Sequence, residues 1–244
     1  MEAYTSFARV YDMFMDNVPY EKWGRYIVEK LRANGIDSGY VVDLGCGTGK
    51  LTTLLADAGY DMIGIDNSFD MLDMALERED DRILYLMQDM REFEPGEKVS
   101  AVVSACDSIN YILEPEDLQA VFFCVSESLK EGGIFIFDIN TPYKYEVLMA
   151  DNRDEGSFIW DNYYDADEKI NEYDLTLFIK EQSEDEDDIY KKFEETHFQR
   201  CYEISELKEL LEQSGLVFDA VYDAYTDDQV KCDSEKVTVI AHKG

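Results

Sequence analysis

"YVVDLGCGTGKLTTLLADAG", residues 40–59, sets an apolar run, one acid and three alternating glycines in front of a segment of helical spacing. "YVVDL" is short and continuously apolar, the mark of a strand buried on both faces. "KLTTLLADAG" reads as a helix ended by Gly59. A glycine loop between strand and helix lets backbone N–H groups approach a ligand closely. A nucleotide phosphate loop needs glycine, four residues, then Gly-Lys-Ser/Thr. Counting back from Gly49-Lys50 puts Leu44 where that first glycine belongs, and Leu51 replaces the hydroxyl residue. The dinucleotide pattern G-x-G-x-x-G fails by one residue, because Gly45, Gly47 and Gly49 are spaced two apart. Asp43 adds a carboxylate that repels a pyrophosphate and attracts a cation. A nucleoside ligand without phosphates is the third candidate.

Working outward, "EKWGRYIVEKLRANG" carries Trp23, Tyr26, Ile27 and Leu31 at helical spacing before Gly35 stops it. "DMIGID" is the next strand, and Ser68 is placed to cap "FDMLDMALER", where Met71, Leu72, Ala75 and Leu76 share a face. "RILYLM", "VSAVVSA" and "GIFIFDI" read as further buried strands, with the helix "PEDLQAVFFCVSESLKEGG" before the last. Strands alternating with helices imply right-handed crossovers and a parallel sheet covered on both faces. After "DINTPYKY" the rhythm changes. "FIWDNYYD", "INEYDLTLFIKEQ" and "IYKKFEETHFQRCY" have period two and read as a three-stranded antiparallel meander. The helix "SELKELLEQSG", with Ser205 as its cap, precedes two final strands joined without a helix, so one of them should run antiparallel to the rest. The expected units are residues 1–150, an N-terminal lid and ligand-binding core; 151–200, a β insertion over a substrate pocket; and 201–244, completing the core sheet.

The formal net charge is −33, and residues 151–200 hold 17 acids against 6 bases. Phosphate binding needs clustered Lys and Arg, so a nucleic-acid partner is excluded, and an anionic membrane surface repels such a chain. The acidic rim favours a small cationic substrate. Five dispersed cysteines with only His197 and His242 make neither a zinc pattern nor a disulfide framework. No apolar run in "MEAYTSFARVYDMFMD" suggests a signal peptide or anchor, so a cytoplasmic monomer or homodimer is expected.

"VVDLGCGTGKLTTLLADAGYDMIGIDNSFDMLDMA", residues 41–75, resembles the first two motifs of class I S-adenosylmethionine-dependent methyltransferases. The resemblance extends to about residue 143. It implies a Rossmann-like seven-stranded α/β sheet, with adenosylmethionine as cofactor and adenosylhomocysteine as product. By resemblance Gly45, Gly47 and Gly49 cradle the methionyl part and Asp43 helps hold its ammonium. Asp66, 17 residues past Gly49, accepts from the ribose hydroxyls, with Asn67 beside it. Met71 lies on the adenine face, Asp89 and the amide of Met90 read the adenine edge, and Ala105 and Cys106 line the cofactor. The N-terminal stretch, with Tyr4, Phe7, Tyr11 and Trp23, is either a lid over the cofactor or an amphipathic helix on the sheet edge. Asp107 and Tyr111 are catalytic candidates on the substrate side, with Ser108 and Asn110. His197 is either a proton acceptor or a core histidine on an apolar strand face. The implied reaction moves a methyl group to nitrogen or oxygen of a small, amine-bearing molecule without a metal. A regulatory protein that binds the cofactor without turnover is the alternative.

Overall fold

The computed structural model describes residues 18–146, 149–154, 156–181 and 189–244. α1 (Tyr20–Ala33) leads into β1 (Tyr40–Leu44), the glycine loop and α2 (Lys50–Asp57). β2 (Asp61–Asp66), α3 (Phe69–Leu76), β3 (Ile83–Met87), β4 (Val99–Ser104), α4 (Pro115–Ser128) and β5 (Leu129–Asn140) continue the alternation. A second group follows: β6 (Met149–Asn152), β7 (Gly156–Asp165), β8 (Ile170–Glu181) and β9 (Ile189–Arg200). α5 (Ile204–Gln213), β10 (Leu216–Asp223) and β11 (Lys236–Lys243) close the chain.

β1 and β4 occupy the middle of a seven-stranded sheet of order β10-β11-β5-β4-β1-β2-β3. The pairs from β5 through β3 are parallel, whereas β11 runs antiparallel to both β5 and β10, as a helix-free hairpin requires. Alternate side chains divide between the two faces. Val42 and Leu44 pack with Phe122, Phe135, Phe137, Leu207 and Leu211 beneath α4 and α5. Val41, Met62 and Val103 pack with Ile27, Leu31, Leu51 and Leu55 of α1 and α2. Two helical layers thus explain why these strands are apolar at every position rather than at alternate ones. The carboxyl ends of β1, β2, β3 and β4 all open on one edge, where ligands bind in folds of this kind.

Some elements differ from the sequence reading. α4 ends at Ser128 rather than after Gly133, because Leu129 pairs with Val99 and is buried as the first residue of β5. Ser205 lies inside α5; the preceding Glu203 is the cap residue and makes no side-chain cap bond. Ser68 does cap α3, accepting from the Met71 N–H at 3.3 Å. Leu76 turns out to be exposed, because the buried face of α3 stops at Ala75. The meander gains an edge strand, β6, too short and polar to be recognised by alternation, and the second sheet has order β6-β7-β8-β9. Its apolar face, with Tyr173, Leu175 and Leu177 buried among Phe158, Trp160 and Phe193, includes Tyr111 of the core domain.

Candidate active site

All three loop glycines have left-handed backbone, with φ of 78°, 53° and 74° at Gly45, Gly47 and Gly49. A side chain is strained there. A Cβ at Gly45 would also lie 2.6 Å from Ser108 Oγ, and one at Gly49 would strike the Tyr85 hydroxyl, whereas the space at Gly47 is open. The Gly45 and Cys46 N–H groups donate to the Ile65 carbonyl at 2.7 and 3.0 Å, fixing the loop to the end of β2. Asp66 accepts the Gly47 N–H at 2.8 Å and the Ser68 N–H at 2.9 Å. Burial raises its carboxyl, and the N–H groups of Ser68, Gly47 and Asn67 oppose that rise. Asp43 is buried and accepts from Thr52 Oγ1 at 2.6 Å. Burial pushes its carboxyl up to about 7; the Thr52 hydrogen bond pulls it down, and the nearby Asp66 adds to the rise.

These groups open onto a cavity of about 600 Å³. Asp43, Gly45, Gly47, Asp66, Asn67 and Met71 line one part of it. Asp89, Met90, Ala105 and Tyr111 line another. Gly49 is not on the wall; it is the cap residue of α2, turned toward Tyr85. Asp89 is held well below the usual carboxylate range by the Arg91 guanidinium, whose Nη2 lies 2.6 Å away. The cavity suits an adenosine ligand with a cationic tail: it offers the Asp66 carboxylate, whose oxygens each have a further lone pair, a buried acid at Asp43, and a glycine corner that a Cβ would obstruct.

Several expected residues lie elsewhere. Tyr11, with Tyr4 and Phe7, is outside the described residues. Trp23 does not line the first cavity; it stacks on Tyr225 with ring centres 4.6 Å apart and lines a second cavity of about 430 Å³. Asp107 lines that second cavity as well. His197 lines neither: it stacks on Tyr173 at 4.7 Å, 2% exposed, with Nε2 3.1 Å from Glu195. It is packed against the aromatic face of β8 within the insertion.

The second cavity runs between the core sheet and the insertion. Phe158, Trp160 and Asn162 of β7 and Gln199 of β9 form one side; Cys106, Asp107 and Lys236 form another. Cys106 lines both cavities. Cys106 and Asp107 turn the chain with φ of 58° and 56°, a conformation costing on the order of 1–3 kcal/mol for each non-glycine residue. Asp138, wholly buried in β5, holds that corner by accepting the Cys106 and Asp107 N–H groups at 3.0 and 2.6 Å. Lys236 donates to Asp138 at 2.9 Å and to Asp107 at 3.0 Å, and the Tyr225 hydroxyl donates to Asp138. Burial alone would lower the Lys236 ammonium, but Asp107 and Asp138 outweigh it and hold it above the ordinary lysine range. Of these missed residues only Asp138 left a sign in the sequence, a lone acid inside "GIFIFDI".

Residues 41–133 match the family described as "Methyltransferase domain". A Bacillus subtilis (strain 168) protein named "Putative methyltransferase YqeM" is 33% identical over 248 residues, covering 98% of this chain and 97% of its own. A crystal structure of an S-adenosylmethionine-dependent methyltransferase from Clostridium acetobutylicum ATCC 824 superposes with a TM-score of 0.86 at 29% identity, covering 100% of both chains. The chain belongs to the class I S-adenosylmethionine-dependent methyltransferases. Its cofactor is S-adenosylmethionine, and the seven-stranded sheet is the Rossmann-like sheet of this family. Another relative of this methyltransferase is a Streptomyces venezuelae dTDP-3-amino-3,4,6-trideoxy-alpha-D-glucopyranose N,N-dimethyltransferase, 32% identical over 146 residues, 59% of this chain and 60% of that one. None of the described helices of the methyltransferase is long and apolar enough to cross a membrane.

Proposed function

We propose that this methyltransferase moves the methyl group to an amine nitrogen of a small molecule, with the cofactor in the first cavity and the acceptor in the second. The observation that carries this is the meeting of the two cavities at Cys106, beneath an insertion that brings Phe158 and Trp160 over the second. When bound, the cofactor supplies an already activated methyl on a sulfonium. Asp66 accepts from the ribose hydroxyls, Asp43 faces the ammonium, and Asp89 with the Met90 amide reads the adenine edge. The chain's part in the chemistry is to align the two reactants and exclude water, and alignment alone can remove roughly 7–11 kcal/mol of barrier.

Nitrogen is favoured over oxygen by the charge of the second cavity. Among the described residues three acids, Asp107, Asp223 and Glu235, line it against two lysines, Lys144 and Lys236. Positive charge passes to the acceptor nitrogen during transfer, and a fixed negative charge beside it stabilises that state. Trp23, Tyr145 and Trp160 line the same space and offer ring faces to a cation. Asp107, 3.0 Å from the Lys236 ammonium, is the group placed to receive an N–H of the acceptor. The relative named as an amino-sugar N,N-dimethyltransferase agrees with this reading. Incubation with methyl-labelled adenosylmethionine and a bacterial small-molecule extract tests it. Label is expected on nitrogen of a low-mass amine; label confined to hydroxyl groups, protein or nucleic acid would overturn it.

A further inference from the structure

Lys236 begins β11 opposite Asn140, the last residue of β5, and its side chain is only 13% exposed. An ammonium so placed has to be held by acids. Here it connects β5, the corner after β4 and the insertion. Asp138 connects it to the corner that follows β4, through the N–H groups of Cys106 and Asp107. Asp107 connects it to the insertion, because Asp107 Oδ2 accepts from Gln199 Nε2 of β9 at 2.6 Å. Gln199 Oε1 in turn accepts from the Tyr145 hydroxyl at 3.0 Å and from Asn140 Nδ2 at 3.3 Å. Lys236 also lies 5.6 Å from the centre of the Trp23 ring. One side chain therefore bears on the partition between the cavities and, through Asp107, on the insertion.

Without that ammonium, the Asp107 and Asp138 carboxylates would face each other across a strained corner, and among the described side chains Gln199 alone would hold Asp107, by its Oδ2. We propose that Lys236 is a positioning residue of the acceptor site: it holds the Asp107 carboxylate at the junction of the two cavities in the orientation that receives the acceptor amine. This inference rests on the amine reading of the second cavity given above. Lys236 acts through Asp107 and does not itself contact the transferred methyl.

The chain's two tryptophans, Trp23 and Trp160, both line the second cavity, so tryptophan emission reports its occupancy directly. The probe is benzylamine, with benzyl alcohol as the uncharged control, titrated into the full chain, Lys236→Met and Lys236→Arg. Adenosylhomocysteine affinity is measured on each by calorimetry. Loss of the Lys236 charge by itself would tighten an ammonium, so the positioning role is read by the opposite result. Lys236→Met is expected to keep adenosylhomocysteine affinity within about threefold and to lose benzylamine affinity by about tenfold or more, because Asp107 is no longer oriented. Lys236→Arg, which keeps the charge, is expected to recover most of that loss. A generally loosened fold would weaken both ligands together and would not be rescued selectively. Unchanged benzylamine affinity in Lys236→Met would overturn the proposal. If Lys236→Met does not fold, Gln199→Leu decides: it cuts the far end of the same connection, so a benzylamine affinity equal to the parent's would equally overturn it. Failure of the parent chain to bind benzylamine while binding adenosylhomocysteine would instead sink the amine reading itself.

Discussion

At the scale of single residues, Asp43 as the proposed partner of the cofactor ammonium should make cofactor binding depend on pH. Its carboxyl, pushed up to about 7 mainly by burial, is largely protonated at pH 6 and largely ionised at pH 8. Only the ionised form attracts an ammonium, so affinity should rise as pH increases and level off above neutrality. Adenosylhomocysteine is expected to bind about tenfold more tightly at pH 8 than at pH 6, read by calorimetry at both. Asp43→Asn should flatten that profile; a flat profile in the parent chain would show that Asp43 does not face the ligand's cation. With Asp66 as the proposed acceptor for the ribose hydroxyls, Asp66→Ala should weaken the cofactor by about 1–3 kcal/mol, and because it strips the Gly47 and Ser68 N–H groups of their acceptor it should also lower the ligand-free melting temperature. An unaltered dissociation constant would reduce Asp66 to a support for the Gly47 and Ser68 amides. Asp43, Asp66 and the glycines were legible because they sit within one local stretch. Lys236, Asp138 and Gln199 were not, since their meaning comes from tertiary contacts between β11, β5 and β9. His197 keeps two readings in the sequence, because a polar residue on an apolar strand face looks alike whether it serves chemistry or packs under a neighbour.

At the scale of elements, the packing of β2 on β3 can be tested apart from any ligand. Gly64 lies in β2 with no left-handed backbone, yet a Cβ there would come 2.6 Å from Cδ1 of Tyr85 and 3.0 Å from Cys46 Sγ. Gly64→Ala should therefore destabilise by roughly 1–3 kcal/mol in denaturant unfolding, as overpacking does. Because the clash is mostly with the Tyr85 ring, adding Tyr85→Leu should recover part of the loss; the same midpoint for Gly64→Ala and the parent would contradict that packing. The inner strands of the core sheet were readable because helices cover both faces and leave most positions apolar; β3, read as buried like them, is the edge strand and exposes Leu84 and Met87. The end of α4 was not readable, because Leu129 continues the helical spacing and only its pairing with Val99 draws it into the sheet. β6 was invisible for want of alternating apolar residues, and its existence depends on the partner strand β7.

At the scale of the whole molecule, the second sheet closes on the core sheet through Tyr111, Gln199 and Arg200. Tyr111 and Tyr173 share a hydrogen bond between their hydroxyls, and Arg200 accepts at its carbonyl from Asn110 Nδ2 at 2.8 Å. Replacing residues 155–195 by a short glycine linker should leave adenosylhomocysteine binding in place, since the first cavity draws none of its walls from that segment. Methyl transfer to the natural amine should be abolished; turnover by the shortened chain would show that the insertion has no part in acceptor binding. The measurement that bears most directly on the division into two cavities is a crystal structure with adenosylhomocysteine bound. Its sulfur is expected beside Ala105 and Cys106, facing the second cavity; a sulfur turned instead toward Glu114 and Asp117, out of reach of Cys106, would contradict the division.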